Sequence, residues 1–189
     1  MNLLKTMSRK SWGVLRELLL RFYQIYIRSI MDYGCPIYNS AKTSLIKKLD
    51  TVQNTALRIS STGAFSTSPI WNLHAYTSTL TLLHHRNYVT LVQYAKIRND
   101  RNNINYYRTL HTPYSHQTIL SFGSRCHALL QKYWIDLLDD NEVPFQQTKN
   151  HILTCIREKF QEEWSQQATS SCTRLRSIKP EINKGWQVE

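Results

Sequence analysis

Apolar side chains recur along most of this chain at steps of three and four, while alternation of period two is scarce, so the pattern predicts helices and few strands. The first long helix is expected over 11–31. There Leu15, Leu18, Leu19, Phe22, Tyr26 and Ile30 follow one helical face, and Glu17, Arg21, Gln24 and Arg28 line another. Gly34 suits the left-handed cap that would end this helix, and Pro36 blocks its continuation. The cleanest repeat comes next: Leu45, Leu49, Val52, Ala56 and Ile59 predict a helix from an N-cap at Thr43 or Ser44 to Gly63. Lys47, Thr51, Asn54 and Arg58 fall on its opposite side, with Lys48 beside them. Two such helices joined by a short turn should pack roughly antiparallel, stripe against stripe.

Farther on, Ser68-Pro69 reads as the N-cap and first position of a short helix reaching about Ala75. A third long helix fits 80–98 and should bury Leu83, Tyr88, Leu91, Val92 and Ala95. After a polar break at 99–105 comes a helical turn over 105–111, then a loop over 112–117 that contains Pro113. A fourth helix fits 119–138 and ends in Asp139-Asp140-Asn141. The stretch 141–147, with Pro144, reads as a linker. A last amphipathic helix over 148–166 carries Ile152, Cys155, Ile156, Phe160 and Trp164 on one face, and 168–189 lacks periodicity. The reading is an all-α antiparallel helical bundle with an additional C-terminal helix and an irregular tail. Its regions are a basic one over 1–118, a helix and linker over 119–147, and the final helix with its tail over 148–189.

Charge divides the chain the same way. The formal charge is +11, and residues 1–63 hold ten Lys/Arg against three Asp/Glu, residues 64–118 five against one, residues 119–189 nine of each. The whole excess therefore sits in the first 118 residues, as in a polyanion-facing region joined to a neutral one. With 41% apolar residues and only 5 Gly and 5 Pro in 189, the composition is that of a folded helical protein. Cys35, Cys126, Cys155 and Cys172 are scattered without a CxxC pair, and no secretory signal precedes them, which points to free thiols in a reducing compartment. The apolar run from Val14 to Met31 is broken by Arg16, Glu17, Arg21, Gln24 and Arg28, too many for a membrane span. An intracellular protein, nuclear or cytoplasmic and without a membrane partner, is expected. The basic, acid-poor start weakly mimics a mitochondrial presequence, but helical periodicity gives that segment a better use.

Candidate chemistry is thin. Seven histidines occur without an HxxxH or HExxH spacing, and His84-His85 are adjacent, so their side chains diverge on a helix and cannot easily share an ion. Asp139-Asp140 could hold magnesium ions for phosphoryl transfer, but Leu137 and Leu138 precede the pair in a helical pattern, so a solvated helix end is the better reading. The five glycines stand too far apart for a phosphate-binding loop, and no GxSxG elbow exists. No catalytic residue, metal or cofactor is expected. What remains is cations on helical faces, which neutralise phosphates without reading sequence. The candidates are Arg21, Arg28, Lys47, Lys48, Arg58 and Arg86, and the partner they imply is a nucleic-acid backbone. Tyr23, Tyr26, Tyr33 and Tyr38 could stack on bases, though core packing is their expected role.

A family resemblance adds to this reading. Asn2-Leu3-Leu4-Lys5, Trp12-Gly13 and Tyr26-Ile27-Arg28-Ser29 are followed by Asp32-Tyr33-Gly34-Cys35-Pro36-Ile37-Tyr38. Lys48-Leu49-Asp50, Val52-Gln53-Asn54, Ala56-Leu57-Arg58, Gly63-Ala64-Phe65 and the Ser68-Pro69 pair continue the series. Together they resemble the C-terminal region of reverse transcriptases from arthropod non-LTR retrotransposons of the jockey and X-element type. The resemblance implies a polymerase thumb and connection that follow the palm and hold the template–primer duplex. Phe160-Gln161-Glu162-Glu163-Trp164 with Leu175-Arg176-Ser177-Ile178-Lys179-Pro180 resembles the segment after a ribonuclease H domain in these elements, and 119–145 the segment before it. A ribonuclease H domain needs on the order of a hundred residues, and the polymerase's aromatic-any-Asp-Asp motif is also missing. The expectation is a truncated, internally deleted copy of an RNA-directed DNA polymerase, inactive alone, with sequence-independent affinity for a template–primer duplex. Two alternatives stand beside it. One is a helical interaction module or poorly folded remnant, exposing the apolar surface that would pack on the missing palm; the other, an enzyme subunit acting with a separate palm chain.

Overall fold

A computed structural model describes residues 2–8, 14–39, 41, 43–61, 67–110, 121–137, 144–166, 177–178 and 181. Among them the chain is all-α, with no strand. The helices are α1 (Asn2–Met7), α2 (Arg16–Phe22), a π-helical segment (Tyr23–Arg28) running into α3 (Ser29–Asp32), α4 (Cys35–Tyr38), α5 (Thr43–Ser60), α6 (Ile70–Thr77), α7 (Leu82–Asn99), α8 (Tyr106–Leu110), α9 (Phe122–Lys132) and α10 (Phe145–Gln166). They form two compact units, each assembled from separated stretches. The first comprises Met1–Tyr33, Lys42–Leu83 and Phe160–Glu189; the second comprises Gly34–Ala41 and His84–Lys159.

In the first unit, Leu4, Leu19, Tyr23, Met31, Ala56, Leu57, Leu73 and Leu82 form the core. Helix α1, too short to show a period, contributes Leu4. The expected first helix begins later, at Arg16, and of its expected face only Leu19 is buried and Phe22 partly so. Leu15, Leu18, Tyr26 and Ile30 are exposed, while Leu19, Tyr23 and Met31 are buried and Ile27 partly so. The cause is the π segment. An α-helix turns once in about 3.6 residues, so side chains four apart drift around it. A turn widened to i→i+5 bonding takes back that drift and aligns positions 19, 23, 27 and 31. Ser29, at the end of the widened turn, donates its hydroxyl to the Ile25 carbonyl, a bond that competes with the helical ladder. Tyr26 and Tyr33, expected in the core, are exposed. A second cluster packs Ala75, Phe160 and Trp164 with Trp71 and Leu80. Trp71 stacks on Phe160 at 5.4 Å between ring centroids, and His74 meets the Phe160 ring edge-on at 6.2 Å.

Helix ends are set by backbone closure. Gly34 adopts the left-handed conformation (φ 69°) after α3, as expected, and Pro36 then lies in the first turn of α4. Pro69, not Ser68, takes the N-cap of α6. At the other end of α6, Thr79 N–H donates to the His74 carbonyl (3.2 Å) and Ser78 N–H to that of Ala75 (3.4 Å). Ser78 is left-handed there, as a Schellman closure requires. The same closure ends α9: Ile135 N–H donates to Leu130 (3.0 Å) and Trp134 N–H to Gln131 (3.2 Å), with Trp134 at φ 52°. Helix α9 thus stops at Lys132, not at 138 as the apolar pattern suggested. Phe145–Gln147, expected in a linker, form the first turn of α10. Loop 112–117, Gly63 and most of the expected tail lie outside the described residues.

The second unit is built around α7, which buries polar positions side by side with apolar ones. His84, Arg86, Asn87 and Thr90 are buried beside Leu91, Tyr94, Ala95 and Ile97, whereas the expected core residue Leu83 is exposed. Asn87 donates through Nδ2 to the Tyr133 hydroxyl (2.9 Å), and Asn39 donates to Asn87 Oδ1 (3.4 Å). Ile152 and Ile156 of α10 are buried, as its period predicts.

Candidate nucleic-acid interface

Helix α5 presents two unlike sides. Gln53, Ala56, Leu57 and Ser60 are buried, with Gln53 Nε2 donating to the Leu80 carbonyl at 3.0 Å. Helical spacing places Lys47, Thr51, Asn54 and Arg58 on the other side. Lys47 and Lys48 are exposed there. Arg58 is half-buried: its Nη2 donates to the Ser68 carbonyl at 3.3 Å, which ties α5 to the segment leading into α6. Arg21 is exposed on the last turn of α2, a helix that packs on α5 within the first unit.

The remaining two candidates are drawn inward. Arg28 has a side chain only 11% exposed and lies 3.9 Å from Asp32. Burial lowers its pKa against the opposing influence of Tyr23 and Asp32. The same setting pushes the Tyr23 hydroxyl up to about 12, chiefly by burial. With its charge balanced by Asp32, Arg28 is poorly placed to take a phosphate. Arg86 is 1% exposed in the second unit. Its carbonyl accepts from Thr90 Oγ1 (2.8 Å) and Cys35 Sγ (3.7 Å). As placed it belongs to no exposed basic face, because α7 turns its polar side inward. Arg21, Lys47 and Lys48 are therefore the candidates that stand open to a polyanion.

Arg16 and Arg125 are among the cations with defined surroundings that the sequence did not single out. Arg16 lies 4.6 Å from the centre of the Tyr76 ring. Arg125 of α9 donates through Nη2 to the Pro36 carbonyl at 2.9 Å and lies 5.9 Å from the Phe122 ring. Neither sits in a basic run, so no local pattern marks them.

The histidines take separate structural places. His74 is buried and donates from Nδ1 to the Thr79 carbonyl at 3.0 Å. His84 is buried against the edge of Tyr133, and its pKa falls to about 4, mainly through burial and secondarily through Lys132. His127 lies 3.4 Å from the Tyr94 hydroxyl. No group of three or more His, Cys, Asp or Glu able to hold a metal occurs among the described residues. His111, His116 and Asp139-Asp140 lie outside them. Burial raises the Cys126 thiol to about 12, so this cysteine is not a nucleophile near neutral pH. No helix among the described residues is long and apolar enough to cross a membrane. Comparison of the chain with protein-family models, curated proteins and solved structures gives no match.

Proposed function

We propose that the chain is a thumb-like piece of a non-LTR retrotransposon reverse transcriptase that grips the backbone of a nucleic-acid duplex without reading its sequence and carries out no catalysis alone. The observation that supports this most is the set of exposed cations Arg21, Lys47 and Lys48 on two packed helices of a chain with a charge of +11. Arg28 and Arg58 serve as supports inside that unit, and Arg86 drops out of the interface. The sequence motifs around Asp32–Tyr38 and Lys48–Arg58 supply the family reading.

Fluorescence anisotropy with an RNA–DNA duplex tests it. Binding should be seen at low salt and should fall steeply as salt rises. The double substitution Lys47→Gln/Lys48→Gln should lower the slope of log affinity against log salt by about 2. No affinity at low salt, or an unchanged slope, would sink the proposal.

A second reading is favoured by a separate observation. Leu18, Ile25, Tyr26 and Ile30 make the exposed side of residues 16–32 strongly apolar, and exposed apolar patches of this kind mark surfaces meant for a partner. On this reading the chain is a helical interaction module whose natural cover is a polymerase palm.

A further inference from the structure

A cavity of about 620 Å³ lies in the second unit, bounded by α4, α7, α8 and the first turn of α9. That volume falls in the range of small-molecule sites. Among the described residues its charged lining consists of Arg108 and Arg125, with neither Asp nor Glu. Ile37, Ile97 and Phe122 form apolar walls.

Arg125 is held in an unusual way for a half-buried cation. Its described partners are the Pro36 carbonyl oxygen and the face of Phe122, neither of which carries a negative charge. Nε and Nη1 are shielded from solvent and have no acceptor among the described residues. A guanidinium partly withdrawn from water, with two nitrogens lacking an acceptor and no counter-charge among the described residues, is suited to meeting an anion or a polar ligand. Arg108 brings a second positive charge to the same cavity and is itself exposed. Arginine pairs suit phosphate because its several oxygens accept from more than one guanidinium.

We propose that this cavity binds a small organic phosphate, its phosphate drawn to Arg125 and Arg108 and its less polar body against Ile37, Ile97 and Phe122. The cavity residues belong to the second unit and Arg21, Lys47 and Lys48 to the first, so this proposal rests on different residues from the duplex-binding one.

Isothermal titration calorimetry of the full chain with adenosine 5′-monophosphate tests the assignment, with inorganic phosphate and a carboxylate of matched size as further probes. One-site, saturable binding is expected for the nucleotide, weaker binding for inorganic phosphate, and weaker binding still for the carboxylate. Arg125→Met and Arg108→Gln should each reduce affinity by about tenfold or more, a loss of the size expected for a charge-assisted contact. Because Arg125 also anchors Pro36 and Arg108 has partners of its own, both variants are read alongside a circular dichroism melt. Absence of binding at millimolar nucleotide, or affinity unmoved by Arg108→Gln, would overturn the proposal. Equal affinity for the carboxylate would overturn the choice of phosphate. Equal affinity for inorganic phosphate would overturn the role of the apolar walls.

Discussion

Along α10, Ile152, Ile156, Phe160 and Trp164 recur at every fourth position, and each is fully buried. Along residues 15–30, four of the six residues of the expected apolar face, Leu15, Leu18, Tyr26 and Ile30, face solvent, with Leu15 75% and Ile30 76% exposed. The difference lies in what occupies the rest of each helix. On α10 the neighbours of the apolar line include Arg157, Glu158 and Glu162, so only one side can be buried without stranding a charge. Residues 15–32 are apolar on two sides, since Leu19, Leu20, Tyr23, Ile27 and Met31 make a second series. Where two faces qualify, the widened turn at Tyr23–Arg28 and the packing of α1, α5 and α6 residues choose between them. A stripe thus fixes that a face exists, and the opposite side decides whether it must go inward.

The strongest test of that contrast removes a member of the buried line. Phe160→Ala would leave Trp71 without its stacked ring and open a void beside Trp164 and Ala75. A loss of about 3–5 kcal/mol is expected, read as a fall in urea midpoint with an unchanged slope. A loss below about 1 kcal/mol would mean that the Trp71–Phe160–Trp164 cluster is not a core.

Helix α7 sits between the two extremes, with polar residues buried beside Leu91 and Ala95 of the expected apolar face, and pH reports on it. The pKa of His84 is depressed from 6.5 to about 4 in the folded chain, so between those values the unfolded chain binds the extra proton. Stability from keeping His84 neutral is present above pH 6.5 and is lost as pH falls toward 4, by up to about 3 kcal/mol. Urea titrations at pH 7 and pH 4.5 should show this loss in the parent, and His84→Gln should lose distinctly less. Equal losses in the two proteins would place His84 in water.

How far the sequence could be read follows the same physics. The all-α class, α5, α6, α7, α10 and the left-handed Gly34 were legible because period and cap chemistry are local. The outward turn of 15–30 was not, because a π turn leaves no mark in a sequence pattern. Nor was the burial of Arg86 and His84, since it depends on partners such as Cys35 and Tyr133, which are distant along the chain. Of the cations, Lys47 and Lys48 were legible from their place opposite the α5 stripe. Arg125, which lines the cavity, was not, because its surroundings come from Pro36 and from α8.

A smaller effect tests a single exposed apolar residue. Trp134 is 87% exposed and held at φ 52°, a conformation that costs a side-chain-bearing residue about 1 kcal/mol relative to glycine. Trp134→Gly should therefore raise stability by about that amount, since little packing is lost and the Schellman closure of α9 is kept. A destabilised variant would show that the indole is covered by something other than water.

The smallest expected effect bears most directly on the outward face. If Leu18, Tyr26 and Ile30 stand in solvent, Ile30→Ser should change the unfolding free energy of the chain by no more than about 0.5 kcal/mol, whereas the same change at Ile156 should cost several. Association should respond in the opposite order. An apolar face awaiting a partner promotes self-association or dye binding, which Ile30→Ser should reduce and which analytical ultracentrifugation and a hydrophobic dye would detect. Ile30→Ser is remote in kind from Lys47 and Lys48, so it should leave the salt slope of duplex binding unchanged if the cations alone hold the backbone. Reduced association with unaltered duplex affinity would show two surfaces, a polar one for nucleic acid and an apolar one for protein. Reduced duplex affinity instead would mean that Tyr26 and Ile30 meet the nucleic acid themselves, joining the two readings of this helix into one.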